Sequence, residues 1–308
     1  MSSTRGPSFF VVGAPKCGTT ALQDYLGQSP AVFFPQGKEF HHFADDLLRP
    51  DDPLLDRDRY LALFAGASAS QVIGEVSAFH LFSTAAATNL RAYRHDARIL
   101  LMLRNPLDVV PALHAQLVFN GEEPLTSLEA ALDAEPARRR GQAIPPRARF
   151  GRKLCYVDVA RFTDQVRRFL DAFQHVHVIW HDDFRRDTGG EVARAAAFLG
   201  VDPSFPVTLP VVNANQRVRS RAVQELLLAP PAPLVALGRR LVPKRLLLAA
   251  RRVLMRVNAV EQPREPLPAR LRERLLGELA PDVERLGRLL GRDLSAWIAT
   301  PQSARANR

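Results

Sequence analysis

Residues Phe9-Phe10-Val11-Val12-Gly13-Ala14-Pro15-Lys16-Cys17-Gly18-Thr19-Thr20-Ala21-Leu22 decide the fold. A run of Phe and Val has the composition of a buried strand. Gly13, Pro15 and Gly18 break that run into a turn, and a helix-like stretch follows. The order is strand, loop, helix. Successive backbone N–H groups in such a loop, together with the N-terminus of the next helix, form a socket for phosphate-like oxygens. A nucleoside-triphosphate loop, G-x-x-x-x-G-K-[ST], carries its lysine directly after the second glycine. Here Gly13 and Gly18 keep the spacing, but Thr19 takes the lysine's place and Lys16 lies inside the loop.

Further strands are expected at Val72–Val76, Ile99–Leu103 and Val176–Trp180, with Val32–Phe34 a shorter fifth. Helical patterns lie between them, among them Ala21–Leu26 and Val159–Phe173. Near-continuous apolar strands alternating with helices imply a parallel sheet covered on both faces. Ligands of such sheets bind beyond the carboxyl ends of the strands. One strand ends in Arg104-Asn105-Pro106-Leu107-Asp108. Proline stops the strand, Asp108 suits the start of a helix, and Arg104 projects where its fork of N–H donors can grip a phosphate at two points.

Phe33 to Phe43 contains Lys38-Glu39-Phe40-His41-His42. A hydroxyl is a poor nucleophile until a positioned base takes its proton, and a carboxylate or an imidazole can do so. An isolated Lys-Glu pair, taken alone, is an ordinary solvated pair. The segment Gly74-Glu75-Val76-Ser77 ends another strand, and Ser77 suits a turn cap. Residues 138 to 149 are rich in Arg, Pro and Gly, and read either as a loop over the site or as a solvated linker.

In these stretches the chain resembles the sulfotransferases that use 3′-phosphoadenosine 5′-phosphosulfate (PAPS). Pro15 to Leu22 is similar to their P-K-x-G-T-T-x-L loop, and Arg104 to Asp108 to their R-N/D-P-x-D strand end. The resemblance implies that Pro15, Lys16, Cys17, Gly18, Thr19, Thr20 and Ala21 bind the 5′-phosphosulfate and that Arg104 binds the 3′-phosphate. The family's serine eight residues after the arginine is Ala112 here, a departure that removes one hydroxyl from the 3′-phosphate site. His114, Arg217 or Arg219 are candidates to offset it, the last two from a segment, Asn213 to Ser220, that also resembles the family. By the same resemblance Glu39 is the general base, with His41 as second base or orienting group and Lys16 stabilising the leaving phosphate. Lys38, His42 and Glu75 are expected at the acceptor.

The expected fold is therefore α/β, with a P-loop-type central parallel sheet flanked by helices and a helical C-terminal part. Residues 1–308 are expected to form one domain, an α/β core over 8–220 that binds PAPS and a helical extension over 221–298. The acceptor is expected to be a hydroxyl of a carbohydrate, glycolipid or small metabolite, with no metal cofactor. Alternatives are a P-loop kinase or NTPase, and a binding protein with the same fold and no catalysis.

With 42 basic and 32 acidic residues, the net charge is +10. That suits a polyanionic cosubstrate, nucleic acid or an anionic membrane. Aromatic residues make up 7% and no nucleic-acid motif occurs, so nucleic acid is not the expected partner. Two cysteines without metal-ligand spacing point to a reducing compartment. No secretory leader or membrane-spanning run is recognisable, so a cytoplasmic location is expected. The Ala- and Arg-rich composition points to a GC-rich bacterial source. Residues 239–257 carry seven basic and no acidic side chains around an apolar stripe. They read as a core-packed helix or as a peripheral contact with an anionic membrane.

Overall fold

A computed structural model describes residues 5–209, 216–220, 223–224, 253–254, 257–261 and 266–299. Five strands, β1 (Phe9–Gly13), β2 (Val32–Phe33), β3 (Val72–Val76), β4 (Arg98–Leu103) and β5 (Val176–Trp180), form one sheet. Its order is β2-β3-β1-β4-β5, and every pairing is parallel. β1 lies at the centre, and all five of its residues are buried. That explains its unalternating apolar sequence: both faces are covered.

Among the described residues the helices in chain order are α1 (Thr19–Leu26), α2 (Arg57–Ala62), α3 (Ala86–Tyr93), α4 (Pro106–Phe119), α5 (Leu128–Asp133), α6 (Glu135–Arg139), α7 (Tyr156–Ala160) and α8 (Thr163–Ala172). They continue with α9 (His181–Arg186), α10 (Thr188–Leu199), α11 (Ala269–Leu290) and α12 (Ser295–Ile298). Gly200 ends α10 in the left-handed region at φ 75°, the conformation glycine adopts without Cβ strain. The helix expected over Val159–Phe173 is two helices. Its break at Arg161 is extended, and the Gln165 side chain donates to the carbonyls of Asp158 and Val159 at the end of α7. Across the break, the Thr163 N–H and hydroxyl donate to Asp282 of α11. α11 buries Leu271, Leu275, Leu279, Val283 and Leu286, one stripe at helical spacing, against α4, α7 and α8.

Among the described residues the C-terminal part is helical, as expected, with one short strand added. β6 (Gln216–Val218) pairs antiparallel with β7 (Ala259–Glu261), and β6 packs on α4. The amphipathic stretch 239–257 lies outside the described residues except Val253, Leu254 and Val257, which are exposed. Among the described residues no helix is long and apolar enough to cross a membrane.

Two residues, Arg292 and Trp297, hold the C-terminal part on the sheet's carboxyl edge. Arg292 forms an ion pair with Asp183 at 2.6 Å and lies over the Trp180 ring. Trp297 donates its indole N–H to Asp182 at 2.9 Å and accepts at its carbonyl from Asn105, the neighbour of Arg104. The Asp182-Asp183 pair thus ties the C-terminal part to the end of β5.

Candidate active site

The carboxyl end of β1 turns abruptly. Ala14 N–H donates to Met102 of β4, and Leu81 N–H donates to Val12. Gly13 has φ 154°, and a Cβ there would stand 2.6 Å from the Ala78 carbonyl oxygen. No larger residue fits, which accounts for the first glycine of the motif. Gly18 has φ 103° and precedes α1 without a side-chain cap, so the first-turn N–H groups of Thr19, Thr20 and Ala21 have no intrahelical acceptor, the kind of helix start that suits an anion. Pro15 and Cys17 are buried, and Cys17 Sγ contacts the Pro15 carbonyl at 3.5 Å. Burial pushes its thiol up to about 12, so this cysteine serves the loop through its backbone and packing, not as a thiolate.

Arg104 stands beside this loop. Its guanidinium donates to the Lys16 carbonyl at 3.3 Å and approaches Asp108 at 3.4 Å. Arg104 Nε is buried with no partner. Lys16 Nζ donates to Gln116 of α4 at 3.0 Å. His181, at the end of β5, lies close to Gly18, and burial and the Arg104 charge hold its imidazole down at about 4, neutral at physiological pH.

The Lys38–His41 segment packs against the end of β3. Glu39 N–H donates to the Val76 carbonyl at 2.8 Å, His41 N–H to Ser77 Oγ at 3.0 Å, and Ala78 N–H to Glu39 Oε2 at 3.0 Å. These bonds hold Glu39 at φ 61° and His41 at φ 58°; Lys16 has φ 65°. Three non-glycine residues in the left-handed region, all candidates for chemistry, are costly conformations that only surrounding contacts sustain. Lys38 donates to Thr20 Oγ1 and lies 3.5 Å from the Glu39 carboxylate, linking the segment to the anion loop. Glu39 Oε2 is also 3.5 Å from His41 Nε2.

Desolvation raises the Glu39 pKa against the opposing pull of Lys38, the Ala78 N–H and Arg149. Desolvation, then the charges of His80, Arg149, Lys153 and Lys38, push His41 well below the usual imidazole value. The pair is a carboxylate of raised basicity beside a neutral imidazole.

Glu75 is not at the site surface. It is fully buried, accepts a hydrogen bond from Ser77 and lies 3.7 Å from His80 Nδ1, which is equally enclosed. Burial raises Glu75 to about 8 and lowers His80 to about 3. An acceptor cannot reach Glu75; it stands beneath the floor and holds Ser77, which holds His41. His42 also turns away: it stacks on Tyr60 at 4.0 Å, with Nδ1 2.6 Å from the Leu54 carbonyl. Ala112 is buried on α4, and His114 contacts the Leu125 carbonyl and the Tyr156 ring, so His114 does not stand in for the missing serine. Arg219 is exposed, with its N–H on the Asn258 carbonyl; the backbone of Arg217 lies in β6, and its side chain falls outside the described set.

Sequence reasoning missed two neighbours of the candidate residues, Gln116 and Lys153, and marked Arg149 only as part of the 138–149 run. Gln116 holds Lys16; nothing in the sequence marks it. Arg149 donates to the Glu39 carbonyl at 3.2 Å and reaches Asp52 at 3.5 Å. Lys153 is buried against Glu122 and over the Phe150 ring. The basic run divides accordingly. Arg138 and Arg139 are structural, paired with Glu123, Glu135 and Asp158, while Arg149 covers the site. Among the described residues no group of three or more His, Cys, Asp or Glu could hold a metal ion.

The sulfotransferase domain family matches residues 7–220. The crystal structure of a sulfotransferase from Alicyclobacillus acidocaldarius superposes with a TM-score of 0.71, at 30% identity, over 96% of this chain and 100% of that one. Carbohydrate sulfotransferase 15 of Rattus norvegicus is 32% identical over 143 residues, and that of Homo sapiens 31%; each alignment takes in 33% of this chain and 26% of the relative. The chain thus spans about a quarter of the length of the curated relatives it matches. It belongs to the sulfotransferase domain family and has the P-loop-containing fold of a sulfotransferase enzyme.

Proposed function

We propose that the protein moves a sulfonate group from PAPS to a hydroxyl of a carbohydrate or related acceptor. The observation that carries this is the junction of two anion-binding elements: Arg104, with a buried and unpartnered Nε, is hydrogen-bonded to Lys16 of the anion loop. An orphaned cationic donor beside a helix N-terminus fits a ligand with two separate phosphate-type groups. Arg104 would hold the 3′-phosphate, and Lys16 with the amides of residues 17–21 the 5′ side. PAPS supplies an activated sulfonate on a phosphate leaving group. Lys16 stabilises charge that builds on that phosphate. Glu39 takes the acceptor proton, and its raised basicity suits the task. His41, neutral and 3.5 Å away, orients Glu39. Lys38, bonded to Thr20 and paired with Glu39, keeps acceptor and donor sides in register.

A carbohydrate acceptor is favoured by the name of the mammalian relatives, carbohydrate sulfotransferase. Two buried free cysteines suit a reducing, cytoplasmic setting. The test is incubation with PAPS and a panel of oligosaccharides and glycolipids, measuring adenosine 3′,5′-bisphosphate released. Acceptor-dependent release, lost in Glu39→Gln, is expected. No release with any acceptor, together with turnover of magnesium-ATP, would contradict the proposal and favour a kinase or NTPase.

A further inference from the structure

Lys16 reaches across to α4. Its Nζ donates to Gln116 Oε1 at 3.0 Å. Gln116 lies one turn beyond Ala112 on the same helix face, so the helix carries a carboxamide close to where the family has a serine. That carboxamide is itself oriented. Gln116 Nε2 donates to Asn120 Oδ1 at 3.0 Å, and Asn120 Nδ2 donates to Glu122 Oε1 at 3.3 Å. With the NH2 group engaged by Asn120, the carbonyl oxygen faces the lysine. Glu122 also accepts from Arg149 N–H and Lys153, so the chain of bonds is anchored in the segment that covers Glu39.

A neutral acceptor therefore occupies the ammonium that the loop offers to an anion. An anionic oxygen makes the stronger bond and takes the lysine over. Its affinity is then reduced by whatever the Gln116 bond contributed.

We propose that Gln116 is a positioning residue for Lys16: it holds the ammonium on α4 before an anion binds and recaptures it from the bisphosphate product, so that product affinity falls and release quickens. The inference rests on the proposed use of PAPS. Fast release matters because product departure limits turnover in many enzymes.

The experiment is calorimetric titration of the full chain with adenosine 3′,5′-bisphosphate, paired with stopped-flow release. It compares wild type, Gln116→Ala, Gln116→Glu, Lys16→Ala and the Lys16→Ala/Gln116→Ala pair. Gln116 is half-buried and alanine is the best helix former, so the first variant should fold. It is expected to bind about two- to tenfold tighter, the range one such hydrogen bond commands, with release slowed in proportion. Gln116→Glu is expected to bind more weakly, because its carboxylate pairs with the ammonium and repels the ligand. In the Lys16→Ala background, Gln116→Ala should change nothing, whereas a merely structural role would act in both backgrounds. Asn120→Ala, an exposed change that only frees the carboxamide, should shift affinity the same way by less. Unchanged or weaker binding in Gln116→Ala, or an effect that persists without Lys16, overturns the proposal. A wild type that does not bind the bisphosphate overturns the proposed function itself, and this inference falls with it. Binding with no Gln116 effect sinks the inference alone.

Discussion

The anion loop at Pro15–Ala21 and the Glu39–His41 segment meet at one site but are held by different means. The loop presents backbone amides and Lys16, with Arg104 beside it, and its shape follows mostly from local sequence: Gly13 and Gly18 where φ is positive and a helix start behind them, Lys16 at φ 65° being the exception. The Glu39 segment presents side chains in conformations its own residues disfavour, at φ 61° and 58°. It is moulded by Val76, Ser77 and Ala78 at the end of β3, with neutral, enclosed Glu75 below. The proposed donor side is thus prescribed mainly locally, and the proposed acceptor side by contacts nearly forty residues away. Damage to the second should leave the first intact.

The largest expected effect comes from Glu39→Gln. Turnover should drop by about 10²- to 10⁴-fold, the usual range for a general base, while bisphosphate affinity stays within about twofold. In the wild type, turnover should fall on the acid side as Glu39 gains its proton. Because burial raises that pKa, the fall should begin at a pH above the ordinary carboxylate range. A pH–rate profile checks this. Ser77→Ala removes the acceptor for the His41 N–H. It should cost about ten- to a hundredfold in turnover through misplacement and about 1–3 kcal/mol of stability for the stranded donor, again without loss of bisphosphate binding.

Glu75 makes a stability prediction with a defined sign. Its pKa is about 8 in the folded chain against an ordinary 4.5, so the folded state binds the extra proton and stability falls as pH rises from about 4.5 to 8. His80, held at about 3 against an ordinary 6.5, acts the other way: stability rises from about pH 3 to 6.5. The two offset each other between 4.5 and 6.5, and above 6.5 only Glu75 remains. Denaturant titrations at pH 6.5 and 8 should show wild type losing on the order of 1–2 kcal/mol more than Glu75→Gln over that interval. Equal losses would mean that Glu75 is ionised in the fold. The smallest effect is expected from Arg149→Ala. It removes an exposed clamp on the Glu39 carbonyl and should lower turnover by about two- to fivefold, the scale of one solvent-facing bond.

Much of the donor side is legible in the sequence because each part is local. The β1 run, the paired glycines and Arg104 at a proline-stopped strand end all carry their own signals. The acceptor side is legible only as residue types. Lys38, Glu39 and His41 are recognisable, but the turn of His42 onto Tyr60 and the enclosure of Glu75 depend on packing between distant segments. Gln116 and Lys153 are invisible for the same reason: their side chains declare no partners 100 and 31 residues away. The split of Val159–Phe173 into two helices likewise depends on Asp282 of α11, which no local pattern announces.

The most direct measurement is titration with adenosine 3′,5′-bisphosphate and adenosine 5′-phosphate of wild type, Arg104→Ala and Glu39→Gln side by side. The account predicts that wild type and Glu39→Gln prefer the 3′-phosphorylated ligand, and that Arg104→Ala loses that preference, at least about tenfold, as expected for a charge-assisted contact. A wild type indifferent to the 3′-phosphate, or a Glu39→Gln protein that loses the ligand as badly as Arg104→Ala, would contradict it.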